Sequence, residues 1–224
     1  PPLPRDLDGL IAHRTAELTA YQNAAYAKPY GDLVARVRAA EAERAPGRSG
    51  LAQAVARYYF KLLAYKDEYE VARLFADPAF ERGIKARFES GYTLRYHLAP
   101  PLLSKIDPET GRPQKSTYGA WMGSAFRLLA RLRGLRGTAL DPFGYSEDRR
   151  TERRLISDYE AVIEELLGGL DGDNYALAVD IASLPERIRG YGPIKAASID
   201  QAKQDEVDLL QSFRDSSPAA SAAE

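Results

Sequence analysis

The run Glu147–Leu167 constrains the fold most. Leu155, Tyr159, Val162, Leu166 and Leu170 recur at three- and four-residue spacing, with Ile156, Ile163 and Leu167 beside them. Residues spaced in this way share one face of an α-helix. Gly168-Gly169 stops the pattern. A long helix with one apolar face must bury that face against other elements, and most of the chain repeats the same period.

Taken in order, Leu10–Glu43 reads as helix, with Ile11, Leu18, Tyr21, Ala25, Leu33 and Val37 on its apolar side. Lys28-Pro29 predicts a break or kink, with a second helix from Leu33, because proline lacks a donor and disfavours α geometry in the residue before it. Ala45–Gly50 is a loop. Leu51–Ala76 reads as helix, continuous unless it bends near Lys66-Asp67. Asp77-Pro78 restarts a helix, with aspartate as N-cap and proline at the first helical position; that helix is expected to end near Ser90-Gly91. Tyr92–Leu98 alternates and is rich in β-formers, so it reads as a strand. Pro100-Pro101 ends it. Leu102–Ile106 and Gln114–Tyr118 flank the turn-rich DPETGRP. Helices follow over Trp121–Arg133, from Asp173 or Asn174 to about Arg189, and over Ile194–Arg214, with a turn at Asp141-Pro142-Phe143-Gly144. The fold class is therefore mainly α, a multi-helix domain carrying a small antiparallel β-hairpin or three-stranded element around residues 92–118. Strands do not alternate with helices, so a doubly wound sheet is excluded.

Composition narrows the function classes. The chain has 224 residues, a formal net charge of −1 and no cysteine. Near-neutral charge removes the electrostatic case for nucleic acid or an anionic membrane. Without cysteine there are no disulfides, thiolate-held iron–sulfur clusters or cysteine nucleophiles. No apolar run is long enough for a membrane helix, and the first residues do not form a signal peptide, so a cytoplasmic location is expected. The chain starts with proline rather than methionine, and residues 215–224 are mostly small. The simplest organisation is one helical domain over 1–214, cut from a longer polypeptide, with a disordered tail.

The residues with reactive side chains do not assemble a catalytic motif. His13 and His97 lie far apart in sequence and neither has a partner at a metal spacing such as HExxH. Asp171-Gly172-Asp173-Asn174 begins like a calcium loop but lacks the glutamate at its twelfth position, so it reads as a turn and helix cap. Arg189-Gly190-Tyr191-Gly192-Pro193-Ile194-Lys195 precedes a helix whose free amides suit an anion. Arg189, Tyr191 and Lys195, joined by His97 and Lys66, are the candidate binding residues for coenzyme A or another phosphate-bearing ligand; the plain alternative is a tight helix-to-helix turn. Arg127, Arg131, Arg133 and Arg136 recur at helical spacing and read as a solvated face. Arg127 and Arg131, with Tyr65 and Tyr69, are the candidate interface residues, since arginine and tyrosine both suit protein contacts.

Four stretches together carry a resemblance: LLAYKDEYEVARLF (Leu62–Phe75), YHLAPPLLSKIDPETGRPQKSTYGAWM (Tyr96–Met122), FRLLARLRGLRGTALDPFGYSEDRRTER (Phe126–Arg153) and ALAVDIASLPERIRGYGPIK (Ala176–Lys195). They resemble the C-terminal domain of the long, fused bacterial indolepyruvate ferredoxin oxidoreductases. The resemblance implies a thiamine-diphosphate-dependent 2-oxoacid oxidoreductase. Such an enzyme decarboxylates arylpyruvates to acyl-CoA and passes the electrons through an iron–sulfur cluster to ferredoxin. It also implies that thiamine diphosphate and the cluster belong to upstream regions. No cofactor ligand or catalytic residue of that family maps onto this chain, so none is expected to be bound by it. The expectation is an accessory, non-catalytic domain whose partners are the upstream catalytic regions, ferredoxin, and further copies through the full enzyme. The alternatives are the phosphate-ligand module and a ferredoxin-docking surface built on the arginines.

Overall fold

The computed structural model describes residues 3–4, 6–88, 92–99 and 114–216. These residues group into two compact units, Pro1–Tyr65 with Glu147–Glu224, and Lys66–Ser146. Each has its own hydrophobic core.

The larger unit is helical throughout. Helix α1 spans Leu7–Tyr21 and is capped by Asp6, whose Oδ1 accepts from the Gly9 amide at 2.7 Å. Helix α2 spans Ala24–Arg44. The break in this first helical run therefore falls at Gln22-Asn23, upstream of the proline. The Asn23 side chain accepts from the Tyr26 amide at 2.8 Å and starts a new helix there. Pro29 sits inside α2 as its sixth residue, where its missing N–H removes one intrahelical bond without ending the helix. Helix α3 spans Gly50–Leu63. After the inserted smaller unit, the chain returns through α7 (Glu147–Gly169), α8 (Tyr175–Ser183), a 3-10 turn at Leu184–Arg187 and α9 (Pro193–Asp215). The apolar face read from α7 is buried, with Leu166 and Ile163 nearly inaccessible.

Two polar devices organise this core. Tyr30, Tyr59 and Tyr159, from α2, α3 and α7, stack with centroids 6.1 and 5.9 Å apart. Their hydroxyls leave the stack to bond the Ala56 carbonyl, Glu160 and the Ala182 carbonyl. Buried tyrosine is stable only when its hydroxyl finds such a partner. The second device caps α3. Its own N-cap, Ser49, makes no side-chain cap bond. Instead the buried Glu41 of α2 accepts from the Leu51 and Ala52 amides at 2.8 and 3.2 Å and from the Tyr175 hydroxyl at 2.6 Å. The same tyrosine oxygen accepts from the Gly50 amide at 2.7 Å. A carboxylate at a helix N-terminus meets free donors and the positive end of the helix dipole.

The smaller unit contains α4 (Glu68–Ala76), α5 (Pro78–Lys85), β1 (Tyr96–Leu98), β2 (Ser116–Tyr118) and α6 (Met122–Arg131), followed by a 3-10 turn at Leu132–Leu135. The helical run from Leu51 is thus interrupted, and Asp67 caps the restart by accepting from the Glu70 amide at 2.8 Å. Asp77 and Pro78 start α5 as their chemistry predicts. β1 and β2 pair antiparallel, with Tyr96 opposite Tyr118 and His97 opposite Thr117. This is a two-stranded element among the described residues. The expected third strand at Leu102–Ile106, the Pro100-Pro101 stop and nearly all of the tail lie outside them, whereas α5 ends at Lys85, short of the expected stop near Ser90-Gly91. Phe75, Tyr96 and Phe126 meet at 5.0–5.6 Å and form the centre of the core with Ala72, Met122 and Ala130. Among the described residues no helix is long and apolar enough to cross a membrane.

Candidate functional site

The loop after α6 is pinned to α4 by a buried polar knot within the smaller unit. Arg136 makes a two-pronged bond to Asp67, Nε to Oδ2 at 2.5 Å and Nη2 to Oδ1 at 2.9 Å, and both side chains are almost inaccessible. Arg136 therefore leaves the solvated arginine face that its spacing predicts. Its charge is needed inside because the cap Asp67 is buried and would otherwise be an unpaired anion. Beside this pair, Asp141 accepts from the Tyr69 hydroxyl at 3.1 Å and from the Gly137 and Phe143 amides at 2.9 and 3.1 Å. Burial first, then the Asp141 charge and its hydrogen bond, push the Tyr69 phenol well above its ordinary range. The predicted turn at Asp141–Gly144 forms. A Cβ on Gly144 would stand 2.7 Å from Asp141 Oδ2, so the turn closes onto the carboxylate it contains.

This knot holds α6 in a fixed orientation. Met122, Phe126 and Ala130 face the core. On the other side Trp121, Leu128 and Leu132 form a stripe at seven- and four-residue spacing, 62, 60 and 41 % exposed. Arg127 and Arg131 flank the stripe and are exposed. Arg127 Nη2 donates to Ser124 Oγ at 2.8 Å. Among the described residues, neither arginine forms a salt bridge. Arg127 also adjoins α5. The Glu81 carboxyl there is held below its ordinary range by Lys85, 2.7 Å away, and Arg127 adds to the effect. Twelve large hydrophobic side chains stand exposed among the described residues, and eight belong to this smaller unit.

The other sequence-predicted residues are distributed as follows. Tyr65 and Tyr69 are interior, 7 and 1 % exposed. Tyr65 packs edge-on against Tyr21 in the larger unit. Tyr69 packs edge-on against Phe143 in the smaller one. His97 is exposed on β1, with Nδ1 3.1 Å from Thr117 Oγ1. Lys66 is exposed at the start of the smaller unit. Arg189, Tyr191 and Lys195 lie together in the larger unit, on the turn leading into α9. Gly190 and Gly192 take φ values of 91° and 55° there, which side chains resist. Lys195 bonds Glu152 at 2.5 Å, and Arg189 Nε donates to the Glu186 carbonyl at 3.1 Å. Lys61 of α3 donates to the Pro185 and Glu186 carbonyls of the preceding 3-10 turn at 2.7 and 3.1 Å. Its ammonium is pushed below its ordinary range by burial first, then by Arg189, with a smaller push from Lys195. Arg189 and Lys195 are thus near enough to Lys61 to act on its ammonium, while His97 and Lys66 belong to the other unit.

Asp171 and Asn174 form a reciprocal turn. Asp171 Oδ1 accepts from the Asp173 and Asn174 amides, and Asn174 Oδ1 accepts from the Asp171 amide. This matches the turn read from the sequence, but the expected cap does not form: Asn174 makes no side-chain bond to the start of α8. No group of three or more metal-ligating side chains comes together among the described residues. Sequence reasoning missed the Trp121–Leu128–Leu132 stripe. The signal was present as a second apolar period on a short helix, opposite the one that faces the core.

No curated protein and no solved structure matches the chain. A family model, described as a family of unknown function (DUF6537), matches residues 7–206. That span runs from the first residue of α1 into α9 and takes in both units. The chain therefore belongs to the DUF6537 family.

Proposed function

We propose that this chain is an accessory, non-catalytic domain of a cytoplasmic oxidoreductase of the indolepyruvate ferredoxin oxidoreductase type. It works by presenting a protein-binding face rather than by chemistry of its own. The exposed apolar stripe of α6, flanked by two arginines without salt bridges, carries this reading. Isolated exposed leucines are common on protein surfaces, but apolar residues aligned on one helix face with a basic edge are characteristic of a binding surface. Three of the four stretches that resemble the oxidoreductase domain lie wholly or largely in the same unit.

The cofactors of such an enzyme do not fit the residues present. There is no cysteine to hold an iron–sulfur cluster. The Asp171–Asn174 turn, which contains the Gly172-Asp173 pair, turns its oxygens onto its own backbone amides. On the resemblance, thiamine diphosphate and the cluster belong to upstream regions of the same polypeptide, together with the oxidative decarboxylation of arylpyruvates to acyl-CoA. The deciding experiment measures arylpyruvate- and coenzyme-A-dependent ferredoxin reduction, and particle size, for the full polypeptide with and without residues 1–224. Loss of assembly or rate in the shortened enzyme is expected, with no turnover by residues 1–224 alone. Full rate and unchanged assembly without them would remove the proposal.

One observation favours a second reading, a site for coenzyme A or another phosphate-bearing ligand. Arg189 and Lys195 lie near enough to lower the Lys61 ammonium, although Lys195 pairs with Glu152 and Arg189 with Glu186. Calorimetry with millimolar coenzyme A tests it, and absence of heat would exclude it.

A further inference from the structure

We infer that the α6 face of the smaller unit is a docking site for an acidic, amphipathic segment of a protein partner. Leucine-like side chains of that segment would lie on Trp121, Leu128 and Leu132, and its carboxylates would meet Arg127 and Arg131. The inference rests on the reading of this chain as a protein-binding domain and specifies what that domain binds.

Charge complementarity selects the partner. The smaller unit has thirteen Lys and Arg against nine Asp and Glu, a net +4, although the whole chain carries −1. Its described carboxylates are already engaged. Asp67 pairs with Arg136, Glu70 with Arg73 and Glu81 with Lys85. Asp77 caps α5, and Asp141 accepts from Tyr69 and two amides. Among the described residues, Arg82, Arg87, Arg95, Arg127 and Arg131 are exposed and have no salt bridge. In the larger unit the exposed Arg36, Arg38, Arg187 and Arg214 each meet a carboxylate, while among the described residues Arg44, Arg48, Arg57, Arg150 and Arg154 form no salt bridge, so it is the net charge and the apolar stripe that set the smaller unit apart. A surface whose own anions are already used, beside an apolar stripe, complements a partner that supplies both carboxylates and apolar side chains. Arginine is suited to that contact because its planar fork holds a carboxylate in two bonds.

Trp121 is the only tryptophan in the chain and stands within the stripe. Its emission therefore reports occupancy of this face directly. The probe is a helical peptide of leucine and glutamate with leucine at i, i+3, i+4 and i+7, titrated into the 224-residue chain. The controls are the same peptide with glutamine for glutamate, and phosphatidylcholine vesicles containing phosphatidylserine. The expected result is a saturable blue shift of Trp121 with the acidic peptide that weakens as salt is raised. R127E/R131E, with an unchanged far-ultraviolet spectrum, is expected to weaken binding by about tenfold or more. L128Q, which leaves both arginines in place, is expected to weaken it as well. No shift with the acidic peptide overturns the proposal, as does an equal shift with the glutamine peptide. A shift with the vesicles as large as with the acidic peptide assigns the face to a lipid surface and also overturns it. Failure here combined with an assembly defect in the shortened full polypeptide would leave the accessory-domain reading standing and remove only this choice of partner.

Discussion

Two buried carboxylates show how single residues hold each unit. Glu41 serves a helix it does not belong to: it satisfies two amides of α3 and the Tyr175 hydroxyl, all in the interior. Glu41→Ala leaves those donors without a partner and is expected to cost about 2–4 kcal/mol. Glu41→Gln keeps one acceptor and should cost less. Urea unfolding of both variants checks the order, and equal stability of E41A and the parent would contradict the capping role. Asp67 and Arg136 form the second case. Arg136→Met buries an unpaired carboxylate, and the smaller unit should lose about 3–5 kcal/mol. The double variant D67N/R136M should recover part of that loss, since asparagine still caps α4. Thermal unfolding followed by Trp121 emission reads the smaller unit selectively. Neither role was visible in sequence, where Glu41 is one charge among several on α2 and Arg136 continues a helical series of arginines.

At the scale of elements, the tyrosine stack joins α2, α3 and α7 and makes the larger unit sensitive to alkali. Burial pushes the phenols of Tyr30, Tyr59 and Tyr159 well above their ordinary value of 10.0, and a hydrogen bond to Glu160 adds to the effect at Tyr59. Below that value both folded and unfolded chains hold their phenol protons. Above it the unfolded chain releases them while the stacked residues keep theirs. The unfolded state then binds fewer protons, so stability falls as pH rises. Each fully shifted tyrosine contributes a slope of about 1.4 kcal/mol per pH unit. The urea midpoint should be flat from pH 8 to about 9.5 and fall steeply above about pH 10. Tyr159→Phe should reduce the slope, and a midpoint that did not move through this range would refute the stack's role. Helix positions were largely legible from period and turn chemistry, and both paired strands lie within expected ones, but the turn-flanking pattern pointed to Leu102–Ile106 rather than Tyr96–Leu98 as the partner of Ser116–Tyr118. The interruption at Ala64–Asp67 was legible only as a possible bend, because helical periodicity continues across it and the deciding contact, Arg136 on Asp67, comes from 69 residues away.

At the scale of the whole chain, the smaller unit is an insertion between α3 and α7 of the larger one. Its two junctions lie close together, with the Arg149 guanidinium 5.7 Å from the Tyr65 ring centroid. Among the described residues, each hydrophobic core is made of its own unit's side chains. Insertions are tolerated where the host chain's ends are near each other and its core is self-contained. Replacing residues 66–146 by a short glycine-serine linker is therefore expected to leave a cooperatively unfolding helical protein. Circular dichroism with thermal unfolding checks this, and a non-cooperative product would mean that the larger unit depends on the insertion.

The sequence by itself determined the class of this protein: helices from apolar period, a short antiparallel pair from alternation and turn residues, and near-neutral charge with no cysteine. These are local properties, set within a turn or two of chain. Only the tertiary structure decided which charges are used up and which remain available. Arg136 and Arg131 are equivalent in the sequence pattern, yet one is buried against Asp67 and the other faces solvent beside Trp121 and Leu128. Which arginine meets a carboxylate depends on residues far apart in the chain coming together, and periodicity does not encode that meeting.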